Sequence, residues 1–294
     1  MDQWQGLEEV VAIADAGSFA GASKILHVST SHVSKVVARL EARLQTQLFN
    51  RTTRRVSLTD MGHAFVDHSR RIIQERDELL AMVNGAGEPQ GELRITCSIS
   101  LGERFIEPIV RDFMQRHKRL SVRLDLTNRV VDLVGEGYDI AIRTGQISDH
   151  RLFGRRIASR LVELCASPAY LEQRGAPAMI DDLKHHDCLI GTSSSWHFVE
   201  HGKGRVFMPD GRWHCNSGKA VAEAAAAGMG ICQLPLFYVR QQIADGVLLP
   251  LLEDFRAPPE PIWVAYPKRR HLLSKIRNLA DLLEDRLQDA IDVA

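Results

Sequence analysis

Residues 18–44 read SFAGASKILHVSTSHVSKVVARLEARL, and this stretch decides how the first part of the chain folds. Ser18 can cap one helix over about 19–26 and Ser29 can cap the next, because serine hydroxyls accept hydrogen bonds from free amides of a first helical turn. The second of these helices carries an apolar stripe at three- and four-residue steps: Val33, Val36, Val37, Leu40 and Leu44. Its other face is polar and basic. Two such helices joined by a tight turn predict a helix-turn-helix, although many helical hairpins share this pattern.

The flanking segments favour the DNA-binding version of this motif. Trp4–Asp15 has the periodicity of an amphipathic helix, which Gly17 can end in a left-handed conformation, so the two helices above become the second and third. After the apolar pair Leu48-Phe49, residues 50–59 are short, basic and β-branched, which predicts a small hairpin or wing. An arginine at the tip of such a wing can enter a narrow, electronegative minor groove.

The charge of this region is uneven in a chain whose 37 basic and 37 acidic residues cancel. Between Lys24 and Thr59 there are seven basic residues and one acidic residue, Glu41, so the segment carries a net charge of +6. A local positive charge of this kind is typical of a face that binds phosphates. A solvated basic surface is the alternative, and charge alone does not decide between the two.

Residues 3–65 resemble the winged helix of LysR-type transcription regulators almost without gaps. The segments that carry the resemblance are Ala16-Gly17-Ser18-Phe19, Ala22-Ser23-Lys24-Ile25-Leu26-His27-Val28-Ser29, Val33-Ser34, Leu40-Glu41, Leu44, Leu48-Phe49-Asn50-Arg51 and Leu58-Thr59-Asp60-Met61-Gly62. The resemblance implies DNA contacts from the start of the third helix and from the wing arginine. Together with the polar face of that helix, the predicted DNA-binding residues are Ser29, Thr30, Ser31, His32, Ser34, Lys35, Arg39, Arg54 and Arg55. Many members have Gln-Pro where this chain has Thr30-Ser31, and a small residue at His32.

A long helix is predicted to follow, capped by Thr59 and running from Asp60 to about Val83. One edge is apolar apart from Glu75, with Met61, Phe65, His68, Ile72, Leu79 and Met82. Such an edge needs a partner, which is either a second copy of the helix or the chain's own domains. The resemblance favours dimerisation here, with dimers assembling to a homotetramer. The Gly-rich stretch 84–91 ends the helical pattern and predicts a hinge.

From Glu92 the pattern changes to alternating strands and helices, which predicts α/β structure. The first set comprises strands near 93–97, 122–126 and 138–143, with a short helix at Val130–Val134. The second set comprises strands near 161–166, 188–190 and 230–235 and a helix at Gly218–Ala227, followed by a strand at 262–266 and a last helix at about 272–287. Residues 91–287 resemble, more loosely, the LysR-type effector domain, which is similar to periplasmic binding proteins.

The predicted organisation is therefore a winged helix-turn-helix (1–59), a linker helix with a hinge (60–90), and a two-subdomain α/β effector domain (91–294). The first lobe of that domain is predicted at about 91–160 and 267–294, and the second at about 161–266. Ligands of open α/β sheets sit beyond the carboxyl ends of the strands. That rule selects as effector-binding residues Ser98, Ser100, Leu101, Thr144, Thr192, Trp196, Asn216 and Ser217.

The predicted effector is a small carboxylate, because Ser100 and Ser217 each fall near a helix N-terminus, where free amides and the helix dipole attract anions. The alternative is that these serine, threonine and asparagine residues are ordinary caps and turns. The expected function is a DNA-binding transcription regulator that binds double-stranded promoter DNA and responds to this effector, with RNA polymerase as a further partner.

Other classes of function find less support in the sequence. His185-His186-Asp187-Cys188 and His214-Cys215 raise the question of a metal site, but neither has the paired spacing of a zinc site. Motifs of hydrolases, nucleotidases and dehydrogenases are missing, so no enzyme and no cofactor is expected. A binding protein without DNA function is the remaining alternative, and a steep salt dependence of DNA binding would separate it from a regulator.

The location of the protein is predicted from what the chain lacks and from its cysteines. No apolar run of about 18 residues and no secretion signal is visible in the sequence, so a cytoplasmic protein without membrane contact is expected. The five cysteines are scattered, which favours reduced thiols over a disulfide framework. A redox switch among them stays open.

Overall fold

The chain folds as two units, Met1–Gly87 and Glu88–Ala294. The computed structural model describes residues 5–51, 56–83, 88–145, 147–270 and 273–293. Each unit has its own apolar core.

The first unit is a three-helix bundle followed by a short hairpin and a long helix. Its elements are α1 (Leu7–Ala16), α2 (Phe19–Ile25), α3 (Thr30–Leu44), β1 (Phe49–Arg51), β2 (Val56–Leu58) and α4 (Asp60–Val83). The predicted caps are confirmed: the Ser18 hydroxyl accepts from the Gly21 amide at 3.0 Å, and the Ser29 hydroxyl accepts from the His32 amide at 3.1 Å. Gly17 ends α1 with a φ of 66°, in the left-handed region that glycine tolerates.

The core of the first unit explains why α3 has one free face. Val33, Val36, Val37 and Leu40 are buried, whereas Leu44 is exposed at the end of the helix. Strands β1 and β2 pair antiparallel, as the predicted wing requires, with Phe49 opposite Leu58. The wing tip, with Arg54 and Arg55, lies outside the described residues.

The base of the wing is held by a carboxylate. One oxygen of Glu41 accepts hydrogen bonds from the backbone amides of Leu48, at 2.8 Å, and Phe49, at 3.1 Å. Leu48 and Phe49 are themselves buried. The single acidic residue of the basic segment therefore joins α3 to the start of the wing.

The first lobe of the second unit is a five-stranded mixed sheet. Its strands are β3 (Gly91–Cys97), β4 (Leu120–Leu126), β5 (Ile140–Thr144), β6 (Leu152–Arg160) and β14 (Glu260–Pro267), in the order β4-β3-β5-β14-β6. Strands β3, β4 and β5 are parallel, and β14 runs antiparallel to β5 and β6. The helical elements are α5 (Ile99–Leu101), a π-helical segment (Gly102–Ile106), α6 (Glu107–Arg116) and α10 (Ser274–Val293). Apolar residues of α6 and α10 share one core with the strands.

The second lobe has its own five-stranded sheet and a separate hairpin. The sheet order is β11-β8-β12-β7-β13, from β7 (Val162–Ala166), β8 (Cys188–Ile190), β11 (Trp213–His214), β12 (Ile231–Pro235) and β13 (Leu249–Pro250). The hairpin is β9 (Trp196–Glu200) with β10 (Lys203–Phe207). The helices are α7 (Pro168–Arg174), α8 (Gly218–Ala226) and α9 (Leu236–Ala244), and 3₁₀ turns lie at Ile180–His185, Glu253–Phe255 and, in the first lobe, Lys268–Arg270.

Two predictions about the second unit were wrong. Strand β14 was assigned to the second lobe, within 161–266, but it pairs with β5 and β6 and belongs to the first lobe. The predicted helix Val130–Val134 is a loop that leads into turns. Backbone amides of this segment donate to side-chain carboxylates instead of to helix carbonyls. The Asp132 carboxylate accepts from the Gly135 amide at 3.1 Å, and the Glu136 carboxylate accepts from the Asp132 amide at 3.1 Å. Such local side-chain bonds compete with helix formation.

Candidate DNA-binding face and effector cleft

The start of α3 presents a polar face to solvent. The exposed residues of this face are Ser29, Thr30, Ser31, His32, Lys35 and Arg39, and Ser34 is half-buried beside them. The structure thus brings together every predicted DNA-binding residue that it describes. A helix with one buried apolar stripe and one free polar face has the shape needed to enter a major groove.

The contacts around this face leave its charges available. The Thr30 hydroxyl donates to the Ser23 hydroxyl at 3.2 Å, which ties the start of α3 to α2. The His32 ring lies with Nε2 3.7 Å from a carboxylate oxygen of Glu9 on α1. Lys35 and Arg39 are four residues apart on the exposed face and have no ion pair among the residues that the structure describes. Two free cations on one edge of a helix suit backbone phosphates.

A cleft of about 580 Å³ lies between the two lobes of the second unit. Its walls are Ile99, Thr127, Asn128 and Arg129 from the first lobe and Gly191, Thr192, His214, Cys215 and Asn216 from the second. Of the predicted effector residues, Thr192 and Asn216 line this cleft. Thr127, Asn128 and Arg129 were missed, although they directly follow β4 and the strand-end rule applies to that strand as well.

Hydrogen bonds cross the floor of the cleft. The Asn128 side chain donates through Nδ2 to the Asn216 carbonyl at 3.1 Å, and its Oδ1 accepts from the Ile99 amide at 3.2 Å. The Thr192 hydroxyl donates to the same Asn216 carbonyl at 3.2 Å. Asn128 therefore links the two lobes directly.

Arg143 places an unneutralised positive charge next to the cleft. Its guanidinium donates to the Thr127 carbonyl at 2.7 Å and to the Thr96 hydroxyl at 2.8 Å. It has no carboxylate partner in the described part of the chain, and burial lowers its pKa, because partial removal from water disfavours the charged form. Arg129, by contrast, is paired with both carboxylate oxygens of Glu136, at 2.8 and 2.6 Å.

Six of the predicted effector residues do not line the cleft. Leu101 is fully buried in the core of the first lobe and Trp196 is 2% exposed in the core of the second, so their side chains do not face a ligand and their assignment is corrected. The Ser217 hydroxyl caps α8 by accepting from the Ala220 amide at 3.4 Å. Ser98 lies half-buried before α5, the Ser100 hydroxyl accepts from Tyr238 and the Thr144 hydroxyl accepts from Arg160 at 3.3 Å.

The cysteines are mostly inaccessible. Burial raises the pKa of Cys97 to about 12 and that of Cys188 to about 11, because the thiolate would lose its hydration. Cys165 and Cys232 are fully buried on adjacent strands with their sulfur atoms 3.6 Å apart. Cys215 is the exception: it is partly exposed and lines the cleft.

Neither a metal-binding cluster nor a membrane-spanning helix is present in the described ranges. No cluster of three or more histidine, cysteine, aspartate or glutamate residues that could hold a metal ion is found there. None of the helices in this part of the chain is sufficiently long and apolar to span a membrane.

A winged helix with a free polar face, followed by a two-lobed α/β unit with a central cleft, defines the class of ligand-responsive DNA-binding proteins. Residues 4–63 match the family model of the "Bacterial regulatory helix-turn-helix protein, lysR family". Residues 86–288 match the model of the "LysR substrate binding domain". The chain belongs to the LysR family of transcription regulators, with a helix-turn-helix DNA-binding domain and an effector-binding domain.

Known relatives and solved structures are similar over nearly the whole chain. A relative described as an uncharacterised HTH-type transcriptional regulator of Haemophilus influenzae is 32% identical over 95% of this chain and 99% of its own. The HTH-type transcriptional activator AaeR of Escherichia coli is 29% identical, over 97% of this chain and 94% of its own. Among solved structures, full-length AphB, a virulence activator of Vibrio cholerae, matches with a TM-score of 0.60 and 25% identity over 96% of this chain and 98% of that one.

Proposed function

We propose that this regulator binds promoter DNA through the exposed face of α3 and senses a small carboxylate between its lobes. The DNA-binding part of this proposal rests on the free polar and basic face of α3, which lies opposite its buried apolar stripe. The protein acts in the cytoplasm, with RNA polymerase as a partner, and it regulates without a cofactor and without catalysing a reaction. In functional terms, residues 1–59 bind DNA, 60–90 link and dimerise, and 91–294 bind the effector.

The Lys35→Ala variant tests the DNA-binding face. We expect weaker binding to all duplexes and a slope of log affinity against log salt that is smaller by about one, since one phosphate contact and its released counterion are lost. The duplex is one that the wild-type chain selects from a random library, and binding is measured by fluorescence anisotropy at several salt concentrations. Lys118→Ala, at an exposed lysine of the second unit, is the control. Equal slopes for Lys35→Ala and wild type would remove Lys35 from the interface.

The carboxylate proposal is supported by the charge at the cleft. Arg143 contacts the Thr127 carbonyl, and Thr127 lines the cleft. The Arg143 charge lacks a described carboxylate partner, so an anion in the cleft would supply one. The volume of about 580 Å³ lies in the range of small-molecule sites.

The Arg143→Gln variant tests this proposal. Wild-type protein is screened by thermal shift against small carboxylates and the matching primary amides, because a ligand that binds the native state raises the melting temperature. We expect a carboxylate, and not its amide, to stabilise wild type, and Arg143→Gln to weaken that binding about tenfold or more. The exposed Arg119→Gln variant should bind normally. Equal stabilisation by carboxylate and amide would contradict an anion site.

The linker helix supports a homodimer that assembles further to a homotetramer. On one side α4 pairs with α1, through Arg70 with Asp15 and Arg76 with Glu8. Elsewhere on α4, two apolar residues are exposed, Met61 to 58% and Leu80 to 53% of their surface. The apolar edge predicted for this helix also includes Leu79 and Met82, but their side chains are not among those that the structure describes. A second copy of the helix would cover the exposed apolar residues, and analytical ultracentrifugation of the full chain measures the resulting mass.

A further inference from the structure

A second cavity, of about 430 Å³, opens on the first lobe and shares no lining residue with the effector cleft. It is formed by the chain between β5 and β6, by the start of β6 and by β14. Its lining residues are Ile147, Ser148, Asp149, His150, Leu152, Gly154 and Trp263. It is large enough for a small organic ligand.

Trp263 gives this cavity an aromatic wall. Its neighbours on β14, Ile262 and Val264, are fully buried in the core of the lobe, so Trp263 lies on the opposite face of the sheet. The indole nitrogen is buried and has no hydrogen-bond partner among the described residues. Because this nitrogen is out of reach of solvent, Trp263 contributes apolar ring surface to the cavity rather than a free donor.

One strand next to Trp263 adds a positive charge to the same face, that of Arg156, whereas the guanidinium of Arg143 on the other strand is bonded to Thr96 and Thr127 beside the effector cleft. Trp263 pairs in register with Arg143 on β5 and with Arg156 on β6, and directly paired residues point to the same side of a sheet. The register shifts between Ile262 and Trp263, which is a β-bulge and brings Arg156 opposite the tryptophan. Arg156 is exposed and has no ion pair in the part of the chain that the structure describes.

The one acidic residue of the cavity wall, Asp149, is paired with Arg151, which also pairs with Asp132 at 2.7 Å. Asp149 accepts hydrogen bonds from the backbone amide and the guanidinium of Arg151, at 2.7 to 3.1 Å, and Arg151 holds the pKa of this carboxyl down at about 2. The other polar side chains of the cavity wall are the hydroxyl of Ser148 and the ring of His150, each of which can donate. These donors can meet the oxygen atoms of a ligand, and the guanidinium of Arg156 supplies the charge that a carboxylate needs.

The rest of the wall is apolar. Ile147 and Leu152 contribute aliphatic surface, and Gly154 leaves room for Ile147, whose Cδ1 would lie 2.5 Å from a Cβ added at that glycine. We propose that this cavity binds a small aromatic carboxylate, with its ring against Trp263 and its carboxylate directed to His150 and Arg156. The site is separate from the proposed effector cleft and does not depend on it.

Fluorine NMR of the full chain labelled with 5-fluorotryptophan tests the proposal, because the chain has four tryptophans in different places. Trp263 reports on the cavity, Trp213 directly precedes the cleft residues His214 and Cys215, and Trp196 is a buried reference. The Trp263→Phe variant assigns the cavity signal by its loss. The probe is benzoate, with cyclohexanecarboxylate and benzyl alcohol as matched compounds that lack the aromatic ring or the charge.

We expect benzoate at millimolar concentrations to shift the Trp263 signal in a saturable way. Both matched compounds should bind with an affinity at least about tenfold lower than that of benzoate. Arg156→Gln should weaken benzoate binding by a similar factor, whereas Arg119→Gln, on the other edge of the sheet, should not. A shift of the Trp213 signal alone would assign benzoate to the cleft and overturn the second site while leaving the effector proposal intact. Equal shifts by benzoate and benzyl alcohol, or a Trp263 signal that none of the probes moves, would overturn it as well.

Discussion

The Asp139→Ala substitution is expected to lower the free energy of unfolding of the second unit by about 3–5 kcal/mol. Asp139 is 3% exposed, just before β5. One of its oxygens accepts from the Arg94 amide at 2.8 Å, and the other accepts from the Arg270 guanidinium. The pair ties the entry of α10 to the middle of the sheet. Removing the carboxylate takes the Asp139 charge away from a largely buried guanidinium and leaves the Arg94 amide without this acceptor.

Urea denaturation followed by tryptophan fluorescence measures this effect, because Trp196, Trp213 and Trp263 all lie in the second unit. The control is Asp285→Ala, which removes an exposed carboxylate on α10 and should change the unfolding free energy by no more than about 0.5 kcal/mol. Similar transitions for Asp139→Ala and Asp285→Ala would mean that the buried pair contributes no net stability.

The Glu41→Ala substitution is expected to abolish DNA binding by loosening the winged helix, although Glu41 is the one acidic residue of the basic segment. Removing a negative charge would by itself strengthen attraction to phosphates. However, the Glu41 carboxylate accepts from two backbone amides, those of Leu48 and Phe49, at the base of the wing. Two amides left without an acceptor cost about 2–4 kcal/mol, a large part of the stability of a small domain.

The Glu41→Gln variant separates these two effects. A glutamine oxygen still accepts hydrogen bonds from both amides while the charge is lost, so we expect Gln to keep most of the DNA binding that Ala loses. Far-UV circular dichroism on heating measures the stability of the first unit, and anisotropy with the selected duplex measures binding. DNA binding by Glu41→Ala that equals or exceeds that of wild type would show that Glu41 acts only as an unfavourable charge.

The helices of the first unit were predictable because their signals are local. The stripe Val33 to Leu40, the caps Ser18 and Ser29 and the stop at Gly17 each act within four residues, and all are confirmed. The bounds Asp60–Val83 of α4 also match the prediction. The exposed face of α3 follows directly from this periodicity, since residues opposite a buried stripe face solvent.

Features set by contacts far apart in sequence were not predictable. Strand β14 joins the first lobe by pairing with β5, more than a hundred residues earlier, and its apolar pattern fits either sheet. The role of Glu41 was also missed, although Leu48 is only seven residues later, because the bond depends on the path of the chain between α3 and β1. Arg143 was recognised as the end of a strand, but its relation to the cleft depends on Thr127 and Thr96, on two other strand segments. Trp196 follows the end of β8 in sequence and is nevertheless core, because it begins β9 and its side chain packs in the core of the second lobe with Phe198 and Phe207.

The most direct test of the central claim is site-specific photocrosslinking to DNA. The crosslinker p-benzoylphenylalanine is placed at Ser31, on the exposed face of α3, and in a second protein at Lys118, on an exposed site of the second unit. The selected duplex is irradiated with each protein, and the crosslinked nucleotides are mapped. We expect efficient crosslinks from Ser31 to bases within the selected site and few from Lys118. Crosslinks from Lys118 but not from Ser31, with binding intact in both proteins, would contradict a DNA-binding role for the α3 face.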